Sequence, residues 1–206
     1  MFHAIASSPN SRPMLGIASA EEIGALLLEL PALVRLQEGR SVDFPQRTSD
    51  WLSSLEQALS ANRLYQAGLV AALRSGITSA AQGQLPLGVQ FQGRATRSKI
   101  MTATASQALH GAAQIASGIM GDNAPRFAEG ERVAHQISAI ARSRGLLPAR
   151  ESTASNSLYV RAVRQVLVEI ADLESAMVHL EGLVGSRDAV VFLDRALGSD
   201  VPEGEE

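Results

Sequence analysis

Residues 159–184 read YVRAVRQVLVEIADLESAMVHLEGLV, and their apolar side chains recur at alternating steps of four and three. The apolar positions are Tyr159, Val163, Val166, Ile170, Leu173, Met177, Leu180 and Val184. A period of about 3.5 residues places them along one slightly left-winding seam of an α-helix, whereas a strand needs a period of two. We therefore predict one long helix, with an N-cap at Ser152 or Ser155 and an end at Gly185.

This seam requires a partner helix, in the same chain or in another one. We expect the interaction seam to comprise Val163, Val166, Ile170, Leu173, Met177, Leu180 and Val184. The best internal partner is a second helix, predicted from Thr48 or Ser49 to Gly76. Its seam would be Leu52, Leu55, Leu59, Asn62, Gln66, Leu69 and Leu73, with two polar residues that fix the register.

The composition favours an all-α fold. Of the 206 residues, 46% are hydrophobic but only 4% are aromatic, so aliphatic and alanine side chains must form the core. We predict a helical bundle of about five to six helices that includes the long C-terminal heptad-patterned helix. Residues 1–17 are expected to be a flexible segment, 18–198 one helical bundle domain, and 199–206 an acidic flexible tail.

Local signals place the remaining helices. Ser19 and Glu22 fit a capping box that opens a first helix, which Gly39 ends and Pro31 kinks or divides. A turn at residues 122–125 should precede a helix over residues 125–144. A last helix, opened by Ser186, should carry Ala189, Val190, Leu193 and Leu197.

Between residues 76 and 98 the sequence predicts a long connecting loop rather than a strand, because no second strand is available to pair with it. Long loops in compact proteins often carry function. We therefore expect this loop to contact a partner, with Leu87, Val89, Phe91 and Arg94 as candidate residues.

Ile100–Met120 contains no formal charge. Its length suits a membrane span, but Gln107, His110 and Gln114 interrupt the aliphatic character that a span needs. Five alanines would instead let neighbouring helices approach closely. We predict a buried central helix, with membrane contact possible only conditionally. The alanines are Ala105, Ala108, Ala112, Ala113 and Ala116.

The net charge of -3 hides an uneven distribution. Residues 94–164 hold ten Arg or Lys against four Asp or Glu, whereas residues 165–206 hold two against ten. We expect these segments to attract each other within the fold or in head-to-tail assembly, and the alternative is a basic groove for phosphate or anionic lipid. Arg142, Arg144, Arg150, Arg161 and Arg164 lie around one helix junction, but Pro148 breaks the connection that a DNA-binding helix-turn-helix needs, so no nucleic acid is expected.

No motif indicates catalysis, a cofactor or a metal. The chain has no cysteine, no phosphate-binding glycine loop and no Gly-x-Ser-x-Gly nucleophile turn. His3, His110, His135 and His179 lie on separate elements, and Glu131 precedes His135 without the Glu-x-x-His spacing of helical di-metal sites. We expect a protein that is not an enzyme.

The first twenty residues lack both the basic and the long apolar region of a secretory signal, so we expect a cytoplasmic protein. They also contain no acidic residue, as in unstructured type III export signals. Export by a non-Sec route is therefore the alternative.

These observations favour an interaction or assembly protein that binds itself, as a homo-oligomer, or another helical protein through heptad-patterned helices. One alternative is a secreted type III-like filament or translocation component. Another is a helical carrier of a small apolar ligand between the alanine-rich helix and its neighbours.

Overall fold

The computed structural model describes residues 15–84, 96–148 and 156–198, with side chains from residue 158 in the last range. Within these ranges the chain forms seven α-helices and no strand, which confirms the all-α prediction. The helices are α1 (Ile17–Glu38), α2 (Phe44–Ala61), α3 (Gln66–Ala81), α4 (Arg97–Ser143), α5 (Asn156–Val168), α6 (Ala171–Val184) and α7 (Ser186–Gly198). The described residues belong to two compact units that divide between Asp122 and Asn123, inside α4.

In the first unit, each of the helices α1, α2, α3 and the first half of α4 runs antiparallel to its neighbours. Trp51 Nε1 of α2 donates a hydrogen bond of 2.8 Å to the carbonyl oxygen of Leu26 in α1. Arg74 of α3 pairs with Glu56 of α2 at 2.9 Å. The core between these helices is aliphatic and includes Ile23, Leu52, Leu55, Leu59 and Val70, all fully buried.

The first half of α4 packs against both α1 and α3. Gln37 Nε2 donates to Ser106 Oγ at 2.7 Å, and Gly24 lies near Met120, so α1 and α4 run in opposite directions. A Cβ at Gly111 would lie 3.4 Å from Leu73 Cδ1 of α3. The first unit is therefore an up-and-down four-helix arrangement.

The N-terminal part of α1 differs from the prediction. The helix begins at Ile17 behind an N-cap at Gly16 and has no side-chain cap, and the Ser19 hydroxyl instead donates to Asn62 Oδ1 at 2.7 Å. Leu15 and Ile17 are buried, so the predicted flexible segment 1–17 ends too late. An apolar contact with the core at this position outweighs the local capping signal.

The predicted helix from Thr48 to Gly76 is wrong, because α2 ends at Ala61 and α3 begins at Gln66. Asn62 Nδ2 donates to the carbonyl oxygen of Ala58, and Arg63 takes a positive φ of 55°. A side chain that bonds a helix carbonyl favours a helix end over its continuation. The apolar seam predicted for this helix also does not continue past the break, because Leu69 is 50% exposed.

Two prolines lie inside continuous helices, which contradicts the predicted turn at Pro125 and the division of the first helix at Pro31 that was one of its two predicted effects. Pro31 lies within α1, and Pro125 lies within α4, where a turn and a separate helix were expected. Both prolines are exposed. Each freed i-4 carbonyl lies on the same outer face as its proline, where water can replace the lost hydrogen bond.

In the second unit, the predicted long heptad helix is wrong because it divides into α5 and α6. Ile170 has extended backbone angles, φ -112° and ψ 112°, and its carbonyl oxygen accepts hydrogen bonds from the amides of Leu173 and Glu174. The β-branched Val166, Val168 and Ile170 weaken helix propensity, while Asp172 and Glu174 favour a new helix N-terminus. A heptad period does not detect such a break.

The helices α5, α6 and α7 and the second half of α4 form the second unit. Gly185, with a φ of 88°, ends α6 as predicted, and α7 begins at Ser186. Ser138 Oγ of α4 donates to the carbonyl oxygen of Ala196 at 3.4 Å, and Arg142 donates to that of Leu197 at 3.0 Å. These contacts fix α7 on α4.

Candidate interaction surface

The predicted interaction seam lies in the interior of the second unit. Five of its residues are 0–3% exposed, while Val166 and Ile170 are half-buried. In α5 the buried positions are Val160, Val163 and Leu167, so the seam moves one residue from Val166 to Leu167. The five buried seam residues are Val163, Leu173, Met177, Leu180 and Val184.

The helices that cover the seam belong to the same chain and the same unit. α6 packs against α5 and α7, and Val184 lies against Gly130 of α4. The five buried seam residues therefore have neighbouring helices within the second unit. The predicted partner helix around Leu52 lies in the first unit.

The predicted loop candidates Leu87, Val89, Phe91 and Arg94 lie outside the described residues. Helix occupies both ends of the expected loop, because α3 continues to Ala81 and α4 begins at Arg97.

An exposed surface without charge lies on the first half of α4. Four of the predicted alanines, Ala105, Ala108, Ala112 and Ala116, are buried in the first unit, as expected for a helix that packs closely on its neighbours. The opposite side is open to solvent. We define the α4 face by its exposed residues Gln107, His110, Gln114, Ser117 and Gly118.

Partly exposed apolar side chains lie on both sides of the α4 face. On the α1 side, Leu30 and Val34 border α4, and Val34 is 41% exposed. On the α3 side, Leu69 lies one turn before Leu73, which contacts Gly111, and Leu69 is 50% exposed. The surface therefore combines an uncharged polar centre with two apolar borders.

A groove of about 300 Å³ separates α1 from α4 beside this face. The buried Leu109 contributes to its floor, and His110 connects it to the α4 face. The lining residues are Leu30, Val34, Gln37, Ser106, Leu109, His110 and Ala113. His110 is the only titratable group among them.

Two further grooves among the described residues have a different character. The one between α1 and α2, about 320 Å³, is lined by the charged residues Glu29, Arg47 and Asp50 besides Trp51. The one on α5, about 410 Å³, is a surface depression beside Arg161, Arg164 and Glu169. Neither is an enclosed apolar cavity of the kind that a small-ligand carrier needs.

Inside the second unit, arginines of the basic segment 94–164 form ion pairs with carboxylates of the acidic segment 165–206. Arg144 pairs with Asp172 at 3.4 Å, and Arg164 pairs with Glu181 at 2.5 Å. Each ion pair joins the basic segment to the acidic one, as expected for attraction within the fold. Two of the five clustered arginines are thus neutralised locally, which weakens the basic-groove alternative.

Titratable groups with perturbed pKa values lie in the second half of α4 and include Arg126, Glu129 and Arg132. Arg132 Nε donates to Glu129 Oε2 at 2.8 Å, and this hydrogen bond lowers the pKa of Glu129. Burial lowers the pKa of Arg126, and the charge of Asp188 partly offsets that effect. Among the described residues, no three His, Asp or Glu side chains converge as metal ligands.

None of the described helices combines the length and the apolar character that a membrane span requires. The α4 face was not predicted from the sequence, although its signal is present. A run without charge, combined with polar side chains three and four residues apart at Gln107, His110 and Gln114, indicates an exposed helix face that carries no charge. No protein-family model, curated protein or solved structure matches this chain.

Proposed function

We propose that this protein is a non-enzymatic helical interaction or assembly protein, and that the α4 face binds a helix of another copy or of another helical protein. The observation that supports this proposal is the exposed side of α4, which has no formal charge from Ile100 to Met120. Solvent-exposed helix faces ordinarily carry charged residues. Depletion of charge is instead the mark of surfaces that become the centre of an interface.

The borders of the α4 face suit a helix as the ligand. A helix laid along α4 would cover the polar centre and contact Val34 on one side and Leu69 on the other. Both of these apolar side chains are partly exposed. This is the arrangement by which grooves between helices bind an amphipathic helix.

The centre of the face can be covered at low cost. Gln107 and Gln114 carry amides, which donate and accept hydrogen bonds across an interface, and covering them costs far less than covering a charge. The face is therefore polar enough to remain exposed in the free chain and can still be buried on binding.

A photo-crosslinking amino acid at Gln114 tests the proposal in cells that express the full chain. We expect a crosslink to a helical protein or to a second copy, identified by mass spectrometry. The matched control is Gln57, an exposed glutamine of α2 in the same unit. Equal crosslinking from both positions, or none from Gln114, would contradict the proposal.

A charge on the face provides the second arm of this experiment. Gln107→Glu changes the shape little but requires a buried carboxylate in the complex, so we expect it to reduce crosslinking from Gln114. Gln57→Glu should leave that crosslinking unchanged. A reduction by both variants would indicate an effect of net charge rather than of the face.

A further inference from the structure

We infer that α4 opens and closes at residues 121–125, which we call the α4 junction, so that the chain alternates between one long helix and two shorter ones. In the structure the helix is continuous through the α4 junction. Four of its five residues, Gly121, Asp122, Asn123 and Pro125, are poor helix formers. This inference goes beyond the proposed function and does not depend on it, because the residues of the α4 face all precede the α4 junction.

The α4 junction lies in a part of α4 that has no buried residue. Between the buried Ile119 and the buried Gly130, every residue is exposed or half-buried. A Cβ at Gly121 would meet nothing within 4 Å. A helical segment with so few contacts opens at a low cost in free energy, because its backbone hydrogen bonds are exposed to water and no core supports them.

Contacts with other helices hold α4 on either side of the α4 junction. Before it, Met120 Cε lies 3.9 Å from where a Cβ at Gly24 of α1 would be. After it, the ring of Phe127 lies 6.4 Å from that of Phe192 in α7, measured between the ring centroids. The boundary between the two compact units falls inside the α4 junction. Opening therefore breaks neither contact and leaves each half of α4 in its own unit.

The first residue of the α4 junction is a glycine, as at two helix ends of this chain. The helix α3 ends at Ala81, and Gly83, two residues later, has a φ of 82°. The far end of α4 has the same arrangement, because Gly145 follows Ser143 by two residues and has a φ of 63°. Glycine takes this left-handed conformation without a steric penalty. Gly121 can therefore end a helix two residues earlier.

The last three residues of the α4 junction repeat the order that begins α2. The N-cap of α2 is Asp43, and Pro45 is the second residue of that helix. Asn123 and Pro125 have the same spacing. Asparagine is a preferred N-cap, and a proline in the first turn removes an amide that has no helical partner there. The α4 junction thus combines a helix end with a helix start.

The side chain of Asn123 has a hydrogen-bond donor available in both states. In the continuous helix, Asn123 Oδ1 accepts a hydrogen bond of 2.9 Å from Arg126 Nη2. In the open state the same oxygen, as an N-cap, would accept from the backbone amide of Arg126, three residues later. Pro125 has no amide to donate to the carbonyl oxygen of Gly121, so the continuous helix already lacks one hydrogen bond here. Opening therefore exchanges part of the hydrogen bonding instead of only losing it.

Hydrogen exchange of the full chain, measured by NMR and corrected for the intrinsic rate of each amide, tests the inference. We expect the amides of residues 122–124 to exchange at least about 100-fold faster than those of residues 111–114, which lie in the same helix. Gly121→Ala should slow the exchange of residues 122–124 about tenfold, because alanine favours the helix and disfavours the left-handed conformation of the open state.

The matched control is Gly118→Ala, the same substitution in the same helix, where a Cβ also meets nothing within 4 Å. Because Gly118 precedes the α4 junction, this variant should leave the exchange of residues 122–124 unchanged.

Two results would overturn the inference. Amides of residues 122–124 that exchange as slowly as those of residues 111–114 would mean that α4 does not open at the α4 junction. Equal slowing by both glycine variants would mean that opening is a general property of α4. Neither result bears on the α4 face, which crosslinking from Gln114 tests separately.

Discussion

Gly130 of α4 lies so close to α6 that a Cβ at this position would be 2.7 Å from Val184 Cγ1. The ring of Phe192 in α7 lies on the same side, at 3.6 Å. Real Cβ atoms do not approach other atoms this closely, and Val184 is a stiff β-branched residue in the core. The packing of three helices in the second unit therefore depends on a residue without a side chain.

Gly130→Ala should lower the free energy of unfolding. Overpacking costs about 1–3 kcal/mol, and the better helix propensity of alanine offsets at most about 1 kcal/mol of that. The control is Gly182→Ala in α6, where a Cβ meets nothing within 4 Å and stability should rise by about 0.5–1 kcal/mol. Urea unfolding followed by circular dichroism measures both. A stabilised Gly130→Ala variant would show that the helices move apart without cost.

Leu173→Glu should unfold the second unit, because Leu173 is 1% exposed and a buried, unpaired carboxylate costs several kcal/mol. The control is Ser175→Glu, which adds the same charge to an exposed position of α6. Circular dichroism should show a loss of helix in the first variant only. A Leu173→Glu chain that keeps its helices but loses mass in light scattering would instead mean that the seam joins different chains.

Thr48→Val should stabilise the first unit. Thr48 is fully buried, and its Oγ1 has no hydrogen-bond partner among the described residues. Replacing the hydroxyl by a methyl group removes a desolvation cost of about 1 kcal/mol.

The matched control for Thr48→Val is Thr104→Val, because the buried Thr104 Oγ1 donates to the carbonyl oxygen of Ile100 at 2.8 Å. That variant should lose up to about 1 kcal/mol. Trp51, the single tryptophan of the chain, lies in the same unit and reports unfolding by its fluorescence. Equal destabilisation by both substitutions would mean that Thr48 also has a partner.

The sequence predicts the helical class and several helix ends, because these depend on local chemistry. Gly39 and Gly185 end helices where expected, and Ser186 begins α7. The helix ends after Ala61 and Val168 were not predicted. The apolar heptad spacing continues across both positions, although the side chain of Asn62 and the extended backbone of Ile170 end the helices there. Conversely, the break at Pro125 was wrongly predicted, because the sequence does not reveal that this proline faces solvent.

The candidate surface was predicted only in part. The alanines of α4 indicated a helix that packs closely on its neighbours, and four of the five are buried. Which residues lie opposite them follows from helix geometry, but their exposure depends on α1 and α3, whose positions are set by contacts between distant residues such as Gln37 and Ser106. The stronger period of the heptad seam reflects packing inside the second unit and carries no information about the α4 face.

The chain contains no cysteine, so an introduced thiol can test directly whether another protein covers the α4 face. The Gln114→Cys chain is treated with a maleimide reagent in the cells that express it, with Gln57→Cys as the matched control, because both positions are exposed in the isolated chain. We predict that the thiol at position 114 reacts more slowly than the thiol at position 57, because a bound helix covers the α4 face, and that the two react equally once the chains are unfolded. Equal reaction rates at the two positions in the folded chains would contradict the proposal.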